Sequence, residues 1–226
     1  MATNTKFWYL ENFILFSCLS KDEMGHLAQK TTMRNCSKDK FIYFPDEPSR
    51  NIYFLKEGRV KIGSYFEDGK EIIKTILQPG EIFGELSITG EEKRNDFAQA
   101  LDDNVMICVM NMKDMEELME KNTKLGMRLT KLIGFRLRKV ERRLESLIFK
   151  DARTRIVDLI KDMAAEDSKM VGTETLIMNN LTHQDMAKLT ATSRQTVTTV
   201  LNELREKNLI YFDRKRILIR DIDKLK

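Results

Sequence analysis

Cysteine, histidine, proline and long apolar runs are all scarce in this chain. Its 226 residues include three cysteines, Cys18, Cys36 and Cys108, and no two of them form a CxxC pair. That spacing offers neither a zinc ligand set nor an iron–sulfur cluster. So few cysteines fit a reducing compartment, the cytoplasm, better than a disulfide scaffold. Only His26 and His183 are present, too few to build the imidazole cluster of a cupin-type metalloenzyme. The expectation is therefore no metal site, no catalytic residues and no enzyme. No run approaches the roughly 20 apolar residues of a membrane span. The N-terminal apolar stretch carries Glu11 and Asn12 and lacks a basic leader, so it does not read as a signal peptide. The formal charge is only +4, which gives weak overall attraction for nucleic acid.

What is there is organised in three parts. Ser20 and Glu23 form a capping box that opens a helix through Met24, Leu27 and Ala28. From Phe41 the pattern changes to short β-branched and aromatic runs: FIYF, NIYFLKEG, RVKIGSYF, EIIKTIL and VMICVM. Pro45, Pro48 and Pro79 all fall in the connections, and Asp68-Gly69 is a hairpin signal. Regularly spaced short strands predict a sandwich or jelly-roll-like barrel, with Cys108 buried as a small hydrophobe. After Met112 the period becomes helical. A long helix runs from about Asn122 to Phe149, with Ile133, Leu137, Val140, Leu144 and Leu147 at heptad spacing. Such a seam is best buried against a copy of itself, although packing on the chain's own sheet is the alternative. The basic run on the same helix (Lys124, Arg128, Lys131, Arg136, Arg138, Lys139, Arg142 and Arg143) reads as a solvated face.

Asp151 then caps a helix over 152–164. The Glu166–Gly172 stretch reads as a polar loop, and TLIMNNL as a short strand. Residues Leu181–Leu204 predict two short helices joined by a tight turn. Thr182 and Asp185 cap the first, and Ser193 caps the second. Met186, Ala187, Leu189, Val197, Val200, Leu201 and Leu204 face inward, leaving Arg194, Gln195, Thr198, Thr199 and Asn202 on the outer face; with the cap residues Thr182 and Ser193 these are the candidate DNA contacts. This is the layout of a helix-turn-helix, whose second helix enters the major groove. Arginine pairs with guanine and glutamine with adenine, while threonine suits a phosphate or a thymine methyl. DRKR, between IYF and ILI, reads as the tip of a wing.

A second candidate site lies between strands. Gly84 allows backbone N–H groups to approach an anion, Arg94 can fork onto a phosphate, and Glu85 can accept from a sugar hydroxyl. Pairing of Glu85 with Arg94 is the alternative.

On these residues the chain resembles the CRP/FNR family of bacterial transcription regulators. The resemblance runs along nearly the whole chain and rests on FGEL (Phe83–Leu86), Arg94 within RNDFAQA, and SRQTV (Ser193–Val197). It implies an α+β protein with a cupin-like, double-stranded β-helix sensor over 1–120, a dimerisation helix over 121–150 and a winged helix-turn-helix over 151–226. It also implies that Gly84, Glu85, Leu86, Arg94, Asn95, Val140 and Glu141 line any effector site. The cofactor would then be a cyclic nucleotide such as cyclic AMP, or another small effector, or none at all. Asn95 stands where cyclic-nucleotide binders often have Ser or Thr, and Val140 and Glu141 stand where they present hydroxyls to adenine. An unpaired base edge costs about 1–3 kcal/mol, which weakens cyclic AMP or shifts the base preferred. Double-stranded DNA and a second copy of the chain are the implied partners, with RNA polymerase added for an activator and no membrane. A cyclic-nucleotide-binding regulatory subunit is the reading from another class, but it has no use for the helix-turn-helix.

Overall fold

The computed structural model describes residues 9–11, 13–67, 69–90, 92–166, 168–178, 181–213 and 216–225. Asp68, Asn179, Asn180, Arg214, Lys215 and the first eight residues, which carry parts of the sequence reading, lie outside the described residues. The chain divides into two compact units, Met1–Leu137 and Arg138–Lys226. No helix among the described residues is long and apolar enough to cross a membrane.

The first unit is built on two four-stranded antiparallel sheets. One has the order β1 (Thr31–Cys36), β8 (Val105–Asn111), β3 (Asn51–Glu57), β6 (Ile82–Phe83). The other has the order β2 (Phe41–Tyr43), β7 (Phe97–Ala100), β4 (Val60–Tyr65), β5 (Glu71–Leu77). Strand alternation divides the core in two. Tyr53, Leu55, Val105, Ile107 and Val109 meet Val60, Ile62, Ala98 and Ala100 between the sheets. Ile52, Phe54, Cys108 and Met110 point the other way, and helices cover them. These are α1 (Lys21–Lys30), α2 (Met112–Lys121) and the first turns of α3 (Thr123–Phe149), through Met24, Leu27, Met115, Leu118, Leu125 and Leu129. Strand β3 is therefore buried on both faces. The Ser20–Glu23 capping box forms as read.

The outer face of the second sheet is organised by aromatics. Phe97 lies across Gly63, Tyr65 stacks on Phe97 at 4.9 Å, and Phe41 meets it edge-on at 5.5 Å. A Cβ at Gly63 would come within 2.5 Å of both the Phe97 ring and the Ile72 carbonyl.

The second unit contains the rest of α3, α4 (Ala152–Glu166), α5 (His183–Thr190), α6 (Arg194–Glu206) and a sheet. That sheet has the order β11 (Ile210–Phe212), β12 (Arg216–Ile219), β10 (Glu174–Met178), β9 (Ser168–Val171). The expected polar loop after α4 is thus corrected: Ser168–Val171 is an edge strand paired with β10 across Gly172. All four of its residues are exposed, so it leaves no alternation for a sequence pattern to reveal. The wing hairpin read from IYF and ILI forms as β11 and β12, and β10 and β9 extend it to a four-stranded sheet. Ile156, Val157, Ile160, Met186, Ala187, Val197, Val200, Leu201, Leu204, Ile217 and Ile219 form the core beneath it.

We expect Gly63→Ala to destabilise the first unit by about 1–3 kcal/mol, because sheet and ring must both give way. Urea denaturation checks this, and an unchanged midpoint contradicts the packing described.

Candidate functional site

The helix-turn-helix is specified by local chemistry. Thr182 accepts from the Asp185 N–H at 3.1 Å, and the Asp185 carboxylate accepts from the Thr182 N–H at 3.0 Å. Ala191, in the left-handed conformation (φ 50°), ends α5, and the N–H groups of Ala191 and Thr192 both donate to the Ala187 carbonyl. Ser193 then accepts from the Thr196 N–H at 3.0 Å and starts α6. Buried Ala187 lets the two helices approach.

Arg194, Gln195 and Thr199 are exposed on α6, while Thr198 and Asn202 are half-buried. Gln195 and Thr199 face a shallow groove whose other wall is Asp151–Arg153 at the start of α4. Several of the proposed contact hydroxyls are already engaged within the fold. Thr182 donates to Asp185 at 2.7 Å, and Ser193 pairs with Thr196 at 2.8 Å. Thr198 spends its only proton on the Arg194 carbonyl at 3.0 Å, so His183 Nδ1, 2.9 Å away, is the donor to Thr198. Burial, aided by the Arg194 charge, holds the His183 imidazole below its ordinary range. His183 is therefore a neutral strut for the recognition helix at pH 7.

In the first unit, Gly84 adopts φ 74° and begins a short 3₁₀ turn over Glu85–Thr89. Glu85 and Arg94 are both buried and do not pair with each other, which corrects the alternative raised from sequence. Glu85 instead binds Arg136 of α3, whose second nitrogen donates to the Ile82 carbonyl. Arg94 donates to the Asn51 carbonyl and lies over the Tyr43 ring at 4.2 Å and the Tyr53 ring at 5.4 Å. Burial, with Asp96 adding, pushes the Tyr43 phenol far up, so it stays neutral. A Cβ at Gly84 would stand 2.8 Å from Arg94 Nη1 and from the Asn51 carbonyl, so the glycine is what lets the guanidinium lie there. Gly84, Glu85 and Arg94 are thus brought together, with Leu86 half-exposed beside them. Asn95 is next to Arg94 in the chain and is engaged within the fold. Val140 and Glu141 lie on the exposed surface of α3 in the second unit.

Comparison with known proteins fits this arrangement. The sequence model of the cyclic nucleotide-binding domain matches residues 33–122, and that of the Crp-like helix-turn-helix domain matches residues 154–226. The chain belongs to the CRP/FNR family of transcription regulators. It is 28% identical to a global nitrogen regulator of Nostoc over 87% of this chain and 89% of that one. It is also 28% identical to a CRP-like cAMP-activated global transcriptional regulator of Mycobacterium tuberculosis, over 81% of this chain and 82% of that one. A solved CooA mutant from Carboxydothermus hydrogenoformans superposes with a TM-score of 0.79 at 23% identity and covers 97% of both chains, which supports the fold.

Within this CRP/FNR chain, sequence reasoning missed Arg136, Tyr43, Arg143 and Arg155. Arg136 and Arg143 sit in the basic run read as a solvated face. That reading holds for Lys124, Lys131, Arg138, Lys139 and Arg142, which are exposed, and is corrected for Arg128, Arg136 and Arg143, which donate to the backbone carbonyls of Ile14, Ile82 and Leu189 respectively. The only sequence signal was their 8- and 7-residue spacing, which keeps them toward one side of the helix.

Removing one member of a buried pair leaves an uncompensated charge. Arg136→Met is expected to destabilise the first unit by about 3 kcal/mol, and adding Glu85→Gln should recover much of that loss. A double-mutant cycle by denaturation measures this, and additive losses contradict the pairing.

Proposed function

We propose that this regulator is a cytoplasmic homodimer that reads a near-palindromic site in double-stranded DNA and is switched by a small anionic effector at Arg94. The observation that carries the reading is Arg194 and Gln195, exposed in the first turn of a capped recognition helix. Two such helices fit half-sites one turn of DNA apart, about 34–36 Å. Ser193, Thr199 and Asn202 serve the phosphates around them, with Thr182 and Thr198 holding the unit in register. The copy-to-copy seam is Leu137, Val140, Leu144 and Leu147, which are 58%, 64%, 58% and 41% exposed at spacings of three, four and three. Ile133, four residues before Leu137, packs partly against the first unit's core. An activator of this type takes RNA polymerase as a further partner.

The effector reading rests on Arg94. Its Nε is buried with no hydrogen-bond partner among the described residues, beside a glycine that removes the nearest side chain. The phosphate half of a cyclic nucleotide fits that chemistry, since a phosphate oxygen supplies the missing acceptor once the guanidinium shifts from Gly84. The base half fits less well, because Val140 and Glu141 carry no hydroxyl. The Glu85–Arg136 pair and the seating of Arg94 on Asn51 favour a second reading, a dimer that binds DNA without ligand.

Fluorescence anisotropy on selected oligonucleotides, with cyclic AMP, cyclic GMP or no ligand, separates the readings. Tightening by about tenfold or more supports the effector. Tight, selective binding without ligand supports the second reading, and binding without sequence preference contradicts both. Gln195→Ala is expected to lose about 1–3 kcal/mol of discrimination at one base position.

A further inference from the structure

Three consecutive backbone carbonyls at the end of α5 are held by two arginines from other elements of the second unit. Arg143 of α3 donates Nη2 to the Leu189 carbonyl at 2.7 Å. Arg155 of α4 donates Nε to the Thr190 carbonyl at 2.8 Å and Nη2 to the Ala191 carbonyl at 3.3 Å. Its Nη1 donates to the Lys150 carbonyl at 2.7 Å, one residue past the end of α3. The last carbonyls of a helix have no partner within it. The cap here does not supply one, because both of its N–H groups go to Ala187.

The turn that these guanidiniums serve is also strained. Ala191 sits at φ 50°, ψ 50°, where a Cβ crowds the following carbonyl. Two residues later Ser193 starts the recognition helix, so the geometry of Leu189–Ala191 sets the direction in which α6 leaves. The single planar fork of Arg155 ties that turn to the end of the long helix. A lysine ammonium, a point charge on a flexible stem, cannot reproduce three directed bonds. Burial, which pulls the Arg143 guanidinium below its ordinary value, agrees with its seating inside the unit.

We propose that Arg143 and Arg155 are positioning residues for DNA recognition. They hold the left-handed turn at Ala191 so that α6 keeps one attitude toward the end of the long helix. The proposal rests on the assignment of Arg194 and Gln195 as base readers, and it adds the device that aims them. A guanidinium that merely added charge would act on all DNA alike, whereas one that aims the helix acts on the selected sequence.

The test uses the full chain, a selected oligonucleotide and an unrelated one of equal length, read by anisotropy. Arg155→Met and Arg155→Lys should each weaken binding to the selected site by about tenfold or more, with binding to unrelated DNA changed by only about twofold. Ala191→Gly, which removes the strain, should leave the otherwise wild-type chain near its normal affinity and restore most of the loss in the Arg155→Met background. Should Arg155→Met fail to fold, Arg143→Met with and without Ala191→Gly decides in the same way. Wild-type selectivity in Arg155→Lys, or no rescue by Ala191→Gly, overturns the clamp while leaving the base readers intact. A wild-type chain with no preference for the selected site overturns both.

Discussion

Backbone carbonyls left without a partner in their own element call for a donor from elsewhere, and in this chain the donor is repeatedly a guanidinium. Arg94 takes the carbonyl of Asn51, Arg136 that of Ile82, Arg143 that of Leu189, and Arg155 those of Lys150, Thr190 and Ala191. Arg128 does the same for Ile14. Three of these arginines stand on the long helix, on the side that also carries Leu125, Leu129 and Leu132. The helix is thereby tied by directed bonds within each unit, and by apolar packing within the first. What it does not commit is the neighbouring stripe of Leu137, Val140, Leu144 and Leu147, which stays in water in a single copy.

The same economy of donors shapes both candidate sites. In the sensor, Glu85 and Arg94 carry the charge that any anionic or sugar-bearing ligand needs, and each already has a partner of the chain's own. On the proposed reading, a ligand there would compete with the Asn51 carbonyl for Arg94, beside a pair that reaches the long helix through Arg136. A population shift needs this kind of differential contact, because a ligand moves an equilibrium only by what it gains in one state over the other. In the DNA-binding unit, hydroxyls that look free in sequence are spent on capping and on the His183–Thr198–Arg194 relay. On the proposed reading, that leaves the base edges to Arg194 and Gln195.

Much of this was legible in the residue pattern, and the exceptions have physical reasons. The two capping boxes, the inward stripe of α6, the strand runs and the burial of Cys108 follow from local spacing, and local spacing decided them. Strand β9 was not legible, because an edge strand exposed along its whole length has no buried face to mark its period. The partners of Arg136, Arg143 and Arg155 lie 54, 46 and 35 or 36 residues away in sequence, and a carbonyl acceptor carries no side-chain signature. For the same reason a Glu85–Arg94 pair, nine positions apart, stood as an alternative until the fold gave each a partner 51 and 43 positions away.

The account turns on the long helix having two sides, one satisfied within the chain and one that needs a second copy. Sedimentation equilibrium of the wild-type chain and of Leu144→Glu, over protein concentrations on the order of 0.1–10 μM, tests this most directly. The account predicts a wild-type dimer across that range and a folded monomer for Leu144→Glu, because a charge in the seam faces its own copy. A wild-type chain that stays monomeric, or a Leu144→Glu chain that dimerises as well as wild type, would contradict it.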